Sequence, residues 1–415
     1  MAASLRVKIP ARLSPITHID HDAEVDPRAA HLTPEKVKAV WRAVREMYRS
    51  RAYPAISFCL RRNGHIVLNR AIGHAYGNGP GDAPHERHVL MRPETPVCAF
   101  SATKAVTAIL VHKLAEEGGL DLEQRVSHYL PQFAQQGKGQ TTVSEVLSHR
   151  GGFPMFELPK EQIRPEMLLD WDACIEMICA APPAHRRSPR MAYHAITGGF
   201  ILGELIQRIT GKPLADYLDT RLRQPLGMQH FTYGLPPPHR QVTAKNYCAG
   251  TPVRFPISKL LERALIVPVE KVVEVSNTDV FMDGVIPAGN LYCTAEELSR
   301  FYQMLLDGGV WGDKQVLEPQ TVARAITPAC KLQFDHTLKI PMRYSEGLML
   351  GANPVGLYGP MTGRAYGHLG FMNILGWADP ARNVSVGMMV TGKAVLGTHL
   401  IALGNLLTAV AWQCR

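Results

Sequence analysis

Ile56-Ser-Phe-Cys-Leu-Arg-Arg62, Asn63-Gly64 and His65-Ile-Val-Leu-Asn-Arg-Ala-Ile72 form two extended apolar runs around a tight-turn dipeptide. Asn-Gly tolerates positive φ at both central turn positions, which a type I′ hairpin turn requires. A β-hairpin is therefore predicted close to one end of the chain. Near the other end, Asn373-Ile-Leu-Gly-Trp-Ala378 and Val384-Ser-Val-Gly-Met-Met-Val390 flank Asp379-Pro-Ala-Arg-Asn383, a second hairpin. From about residue 101 to 235 the pattern turns helical. The simplest architecture is α/β (α+β): one antiparallel sheet built from both chain termini, flanked by helices, with an inserted, mostly helical domain. The expected division is an irregular leader over 1–34, an α/β sheet domain over 35–113 and 281–415, and the helical insert over 114–280. No internal repeat is visible.

Individual helices follow from caps and spacing. Thr33 and Pro34 open a helix over 34–50. Ser101 begins one that runs to Glu117 with Ala105, Val106, Ile109, Leu110 and Leu114 as an apolar stripe, ended by Gly118-Gly119. A third runs over 197–209, stopped by Gly211 and Pro213, with apolar faces broad enough to be buried. The apolar stretch 398–412 would span only about 23 Å as a helix, short of the ~30 Å of a bilayer core. It reads as a buried helix.

Composition narrows the function classes. The 415 residues are 46% hydrophobic and 20% charged, enough for a large core without disulfides or metal. The net charge of +9 is diffuse. Its densest blocks, His185-Arg-Arg-Ser-Pro-Arg190 and Arg61-Arg62, lack interleaved aromatics and read as solvated loop charge, so no nucleic-acid partner is expected. The eight cysteines show no CxxC or zinc-type spacing and read as buried thiols. His18-Ile-Asp-His-Asp22 has no second ligand cluster at a useful spacing, and His85-Glu-Arg-His88 is one residue short of a zincin motif, so no metal and no cofactor are expected. The start of the chain has no uninterrupted apolar run of the secretory type, and a reduced, cytoplasmic location is expected. No membrane span is expected, and the sequence leaves the oligomeric state open.

A nucleophile can be sought by elimination. There is no Gly-x-Ser-x-Gly elbow and no P-loop, and Gly77-Asn-Gly-Pro-Gly81 reads as a plain loop. Ser101-Ala-Thr-Lys104 remains, with a hydroxyl and an amine three residues apart on one face of a helix start. A buried amine pulled below its usual pKa of ~10.4 could take the serine proton, and the helix N-terminus favours an anionic intermediate. On the pair alone, an N-cap serine beside a surface lysine is the other reading.

The surrounding residues extend the case. Thr95-Pro-Val-Cys-Ala-Phe-Ser-Ala-Thr-Lys-Ala-Val-Thr-Ala108 resembles the nucleophile region of serine β-lactamase-like and penicillin-binding-protein-like proteins, which include class C β-lactamases, DD-peptidases, D-aminopeptidases and family VIII carboxylesterases. Val143-Ser-Glu-Val-Leu-Ser-His-Arg-Gly-Gly-Phe-Pro154, Gln224-Pro-Leu-Gly-Met228 and Pro287-Ala-Gly-Asn-Leu-Tyr-Cys-Thr-Ala-Glu-Glu-Leu298 are similar to further segments of that family, so the resemblance covers most of the chain from about residue 40. It implies a catalytic set of Ser101, Lys104 and Tyr193. The phenol of Tyr193, matching the tyrosine of the family's Tyr-x-Asn motif, would act as an acid/base group if nearby cations, Lys104 together with Arg186, Arg187 and Arg190, lower its pKa. Ala195 stands where the asparagine of that motif usually sits, which favours esters over β-lactams and peptide amides. Gly367-His-Leu-Gly-Phe371 resembles the family's third motif in its His-x-Gly form. By that resemblance the N–H groups of Ser101 and Phe371 form an oxyanion hole, His368 orients substrate or helps move protons, and Gly370 lets substrate approach the backbone.

The implied function is hydrolysis of a small-molecule carboxylic ester through a Ser101 acyl-enzyme. Alternatives on the same site are a β-lactamase, a D-amino-acid peptidase or an acyl-transferring transesterase. The alternative of another class is a catalytically silent ligand- or protein-binding scaffold.

Overall fold

The computed structural model describes residues 5–83, 85–156, 165–184, 190–265 and 267–415. Eight strands form the main sheet: β1 Thr17–Ile19, β2 Ala55–Arg62, β3 His65–Tyr76, β4 Val89–Leu90, β5 Met349–Leu350, β6 Tyr366–Leu369, β7 Leu375–Asp379 and β8 Val384–Val390. Their order is β1-β3-β2-β8-β7-β6-β5, with β4 added on β3. Asn63 (φ 52°) and Gly64 (φ 80°) turn β2 into β3 with the positive angles the dipeptide predicts. The two ends of the chain meet where β8 pairs antiparallel with β2, from Val384 opposite Arg62 to Val390 opposite Ile56. The leader is less irregular than expected. Thr17, His18 and Ile19 pair with Ile72, Ala71 and Arg70 as an edge strand, a run too short to stand out among prolines.

Helices cover both faces of this sheet. Side chains alternate along β2, and the alternation sorts the layers. Phe58 is opposite Arg70, whose guanidinium lies 5.4 Å from the Trp41 ring of α1 (Pro34–Arg49). Cys59 and Arg61 point the other way. They meet Ser299 of the helix Ala295–Leu306, at 3.2 Å from Sγ and 3.1 Å from Nε. Arg61 is therefore no solvated loop charge. It is 5% exposed and paired with Glu296, because the strand pleat aims it under that helix. Most of the basic block 185–190 lies outside the described residues, and Arg190 is exposed.

Two helices connect the sheet to the middle of the chain. α2 (Thr103–Glu116) is buried at every residue from Thr103 to His112 and again at Leu114, so it is a central helix rather than a one-sided stripe. It packs against α3 (Thr197–Thr210) and β6. The helix Ala295–Leu306 is α4. α5 (His399–Gln413) packs on α1 with one face. Contrary to its expected burial, Leu400, Ile401 and Trp412 stay exposed, since α1 covers one side only. Among the described residues, the elements from 117 to 290 are helical apart from Thr232–Tyr233. All eight cysteines are unpaired and only Cys248 and Cys330 are part-exposed. No helix among the described residues is long and apolar enough to cross a membrane, and no cluster of three or more His, Cys, Asp or Glu is placed to hold a metal.

α4 lies so close to the sheet that Gly387 has no room for a side chain. A Cβ there would sit 2.0 Å from the Ala295 carbonyl oxygen. Gly387→Ala is expected to destabilise the protein by about 1–3 kcal/mol as α4 is pushed off the sheet. An unchanged urea midpoint would contradict this packing.

Candidate active site

The nucleophile region is set by a three-stranded sheet. Val97–Cys98 pairs with Leu291–Cys293, which also pairs with Thr232–Tyr233. The Ala99 amide donates to the Leu291 carbonyl (2.7 Å), and the Leu291 amide donates to the Thr103 hydroxyl (3.1 Å). Between these anchors the chain makes a single 3₁₀ turn, Phe100–Ala102, before α2. The α-helix thus starts at Thr103, two residues after the predicted position, because the Phe100–Ala102 turn is 3₁₀. Ser101 rides on that turn, part-exposed at the mouth of the site.

Lys104, one turn further on, is 7% exposed, so the surface-lysine reading fails. Its Nζ donates to Ser101 Oγ at 3.1 Å and to the Ala288 carbonyl at 2.8 Å. Burial lowers its pKa to about 7. The segment that carries Ala288 is tied down by Asn290, fully buried, whose amide donates to the Gly284 and Phe281 carbonyls and whose Oδ1 accepts from the Ile286 amide.

Tyr193 lies in the segment before α3. Its side chain shares the cavity wall with Ser101, and its ring centroid is 5.0 Å from Lys104 Nζ. The three groups are thus brought together. Of the cations expected near the phenol, Lys104 lies over its ring. Burial, with a smaller contribution from Asp335, pushes the Tyr193 pKa up, and the nearby Ser101 hydroxyl offsets only part of this. Arg190 is exposed, while Arg186 and Arg187 lie outside the described residues.

The residues behind Tyr193 are ones that local motifs did not single out. Asp335, fully buried, accepts hydrogen bonds from the Tyr193 amide (3.1 Å), the Tyr344 hydroxyl (3.0 Å) and the Thr337 and Leu338 amides (2.8 Å each). His149 packs its ring 4.8 Å from Tyr193, and its Nδ1 accepts from the His194 amide at 3.3 Å. His149 sits in the quoted 143–154 segment, so a signal for it existed; Asp335 lies 142 residues from Tyr193 in no recognisable pattern.

β6 delivers the remaining candidates. β5 pairs with Tyr366 and Gly367, so among the described residues the His368-Leu369 end has no paired strand on that side. His368 is 1% exposed, its ring centroid 6.1 Å from that of Tyr193, and it is not among the residues that line the cavity. Burial is the main reason its pKa falls to about 3, and Lys104 adds to it. The imidazole is therefore neutral at ordinary pH. Gly370 also packs on the turn before Ser101: a Cβ would lie 2.4 Å from the Ala99 carbonyl oxygen. Phe371 packs on Phe100 at 5.3 Å, which keeps residues 370–371 against that turn.

Ser101, Tyr193, Ala195, Gly370 and Phe371 border a cavity of about 310 Å³. That is at the small end of ligand pockets. No Lys, Arg, His, Asp or Glu lines it among the described residues.

A helix-borne Ser-x-x-Lys pair meeting a tyrosine at the edge of an antiparallel sheet defines a serine-hydrolase class of site. A family model described as Beta-lactamase matches residues 40–406, and the chain belongs to that family of serine hydrolases. It is 28% identical over 333 residues to the Esterase/beta-lactamase LipL of Mycobacterium tuberculosis, covering 76% of this chain and 75% of that one. Among solved structures, a family VIII carboxylesterase matches with a TM-score of 0.77 and 26% identity over 92% of this chain and 98% of that one. A penicillin-binding-protein homologue from Caulobacter crescentus matches with a TM-score of 0.78 and 25% identity, with the same coverages.

The Lys104 shift carries a stability signature. Between its folded pKa of about 7 and the ~10.5 of an exposed lysine, the unfolded chain binds one more proton, so folding gains stability as pH rises through that window. The unfolding free energy of wild type minus that of Lys104→Met should increase from pH 7 to 10 by about 1.4 kcal/mol per unit. A pH-independent difference would mean that the amine is not desolvated.

Proposed function

We propose that the protein is a carboxylester hydrolase working through an acyl-enzyme on Ser101. The carrying observation is the Lys104 amine, 3.1 Å from the serine oxygen and buried so that its pKa falls to about 7. Lys104 is then a base available at neutral pH. It removes the Ser101 proton as Oγ bonds to the ester carbonyl carbon. The resulting oxyanion is held by the amides of Ser101 and Phe371. When the intermediate collapses, the C–O bond to the alcohol breaks, and the leaving oxygen takes a proton from the Tyr193 phenol, which burial keeps protonated. The Lys104 ammonium returns a proton to the tyrosine. Water then repeats the sequence on the acyl-enzyme and releases the acid.

Three features support an ester over an amide or a β-lactam. Ala195 offers only a methyl group where a side-chain amide would contact an acylamide. The described cavity wall has no cation to meet the carboxylate of a β-lactam or a peptide terminus. Relatives described as an esterase/beta-lactamase and a family VIII carboxylesterase fit the same reading.

A fluorophosphonate probe should label wild type and leave Ser101→Ala unlabelled. Lys104→Ala should lose acylation, and Tyr193→Phe should lose about 100- to 10,000-fold in kcat for 4-nitrophenyl esters. Normal turnover by Tyr193→Phe would remove the tyrosine from the mechanism. A folded protein that neither labels nor turns over esters would be a binding scaffold. Faster hydrolysis of a chromogenic cephalosporin than of esters would overturn the ester assignment.

A further inference from the structure

A second lysine lies buried near the nucleophile turn, and the acylation steps make no use of it. Lys393 follows β8 and is 2% exposed. Its Nζ donates to the Val390 carbonyl at 2.7 Å and sits 4.8 Å from the centroid of the Phe100 ring. Burial pulls its pKa down to about 7, and the neighbouring Cys98 is itself kept as a neutral thiol by burial. Near neutral pH the amine thus still carries charge for the electron-rich face of the ring to attract. A methionine would fill the same space without the cost of burying an ionisable group. Packing alone does not call for a lysine here.

What Lys393 touches is one half of the proposed oxyanion hole. Phe100 precedes Ser101 and takes φ 46°, a conformation that an aromatic residue keeps when its surroundings fix it. Its ring packs 5.3 Å from that of Phe371, the residue of the other amide. The turn that carries Phe371 closes with the Gly370 amide donating to the Ile374 carbonyl at 2.8 Å. In the same turn, Asn373 donates to the Ala394 carbonyl at 3.3 Å and to the Tyr53 hydroxyl at 3.0 Å. Both turns are therefore tied to adjacent residues, 393 and 394, just beyond the end of β8.

We propose that Lys393 is a positioning residue: together with Asn373 it brackets the two turns, so that the Ser101 and Phe371 amides are held on one oxyanion. The inference rests on the reading of Ser101 as an ester-attacking nucleophile. Lys393 is not among the residues that line the cavity, so it acts through the Phe100 ring. A donor moved out of line costs more in the transition state than in the bound ester, so the loss falls on kcat rather than KM.

Steady-state hydrolysis of 4-nitrophenyl acetate near pH 7 tests this with Lys393→Met, Phe100→Leu and the double variant. Lys393→Met should lower kcat by about 10- to 100-fold with KM within about twofold. Its thermal midpoint should not fall, because a buried ionisable group has been replaced by an apolar one. The double variant should be no slower than the slower single variant to within about twofold, since the lysine works through the ring. Asn373→Ala releases the second anchor and should also lower kcat while Lys393 is intact. Wild-type kcat in a folded Lys393→Met, a loss confined to KM, or single losses that multiply in the double variant would overturn the positioning role and leave the ester-hydrolase reading standing. If Lys393→Met does not fold, wild-type kcat in Asn373→Ala overturns the bracket. If the wild type turns over no ester and takes no fluorophosphonate label, both readings fail.

Discussion

The site depends on an amine kept away from water without a carboxylate beside it. Lys104 Nζ touches two neutral oxygens, Ser101 Oγ and the Ala288 carbonyl, and burial alone accounts for its lowered pKa. Much of the surrounding structure serves that arrangement. α2 is buried nearly all round, the Leu291–Cys293 strand fixes the nucleophile turn, and the Asn290 network ties down the segment that carries Ala288. Isolating a cation in this way costs stability, and it is tolerated because a lysine neutral near pH 7 can take a proton from serine.

The same low-polarity surroundings act on the neighbouring groups in opposite directions. The carboxylate of Asp335 is saturated by amides and the Tyr344 hydroxyl, so it serves to position Tyr193. The Tyr193 phenol is driven toward its protonated form and the His149, His194 and His368 imidazoles toward their neutral forms. The proposed base and acid are thereby separated by environment: a lysine that loses its proton easily next to a tyrosine that keeps it. Among the described residues the cavity wall carries no charged side chain, which extends this environment to the cavity.

Much of this was legible in the sequence, for specific reasons. The hairpins announced themselves because Asn63-Gly64 has one favoured conformation and the flanking runs are apolar. The candidate nucleophile stood out because Ser101 and Lys104 are close in sequence and lie within a long recognisable segment. Three features were out of reach. Thr17–Ile19 gains its strand character only from β3, a tertiary partner. Arg61 looks like surface charge until the pleat sends it beneath α4. Asp335 supports Tyr193 from 142 residues away, a relation that no local pattern carries. His368 shows the reverse case: its motif was legible, but its burial was not.

The most direct test of the central claim is the pH dependence of Ser101 acylation, followed as the single-turnover burst with a 4-nitrophenyl ester. The account predicts a rate that rises with the deprotonation of one group and levels off above an inflection near pH 7, the inflection disappearing in Lys104→Ala along with the burst. An inflection near 10, where an ordinary lysine or tyrosine titrates, would contradict it.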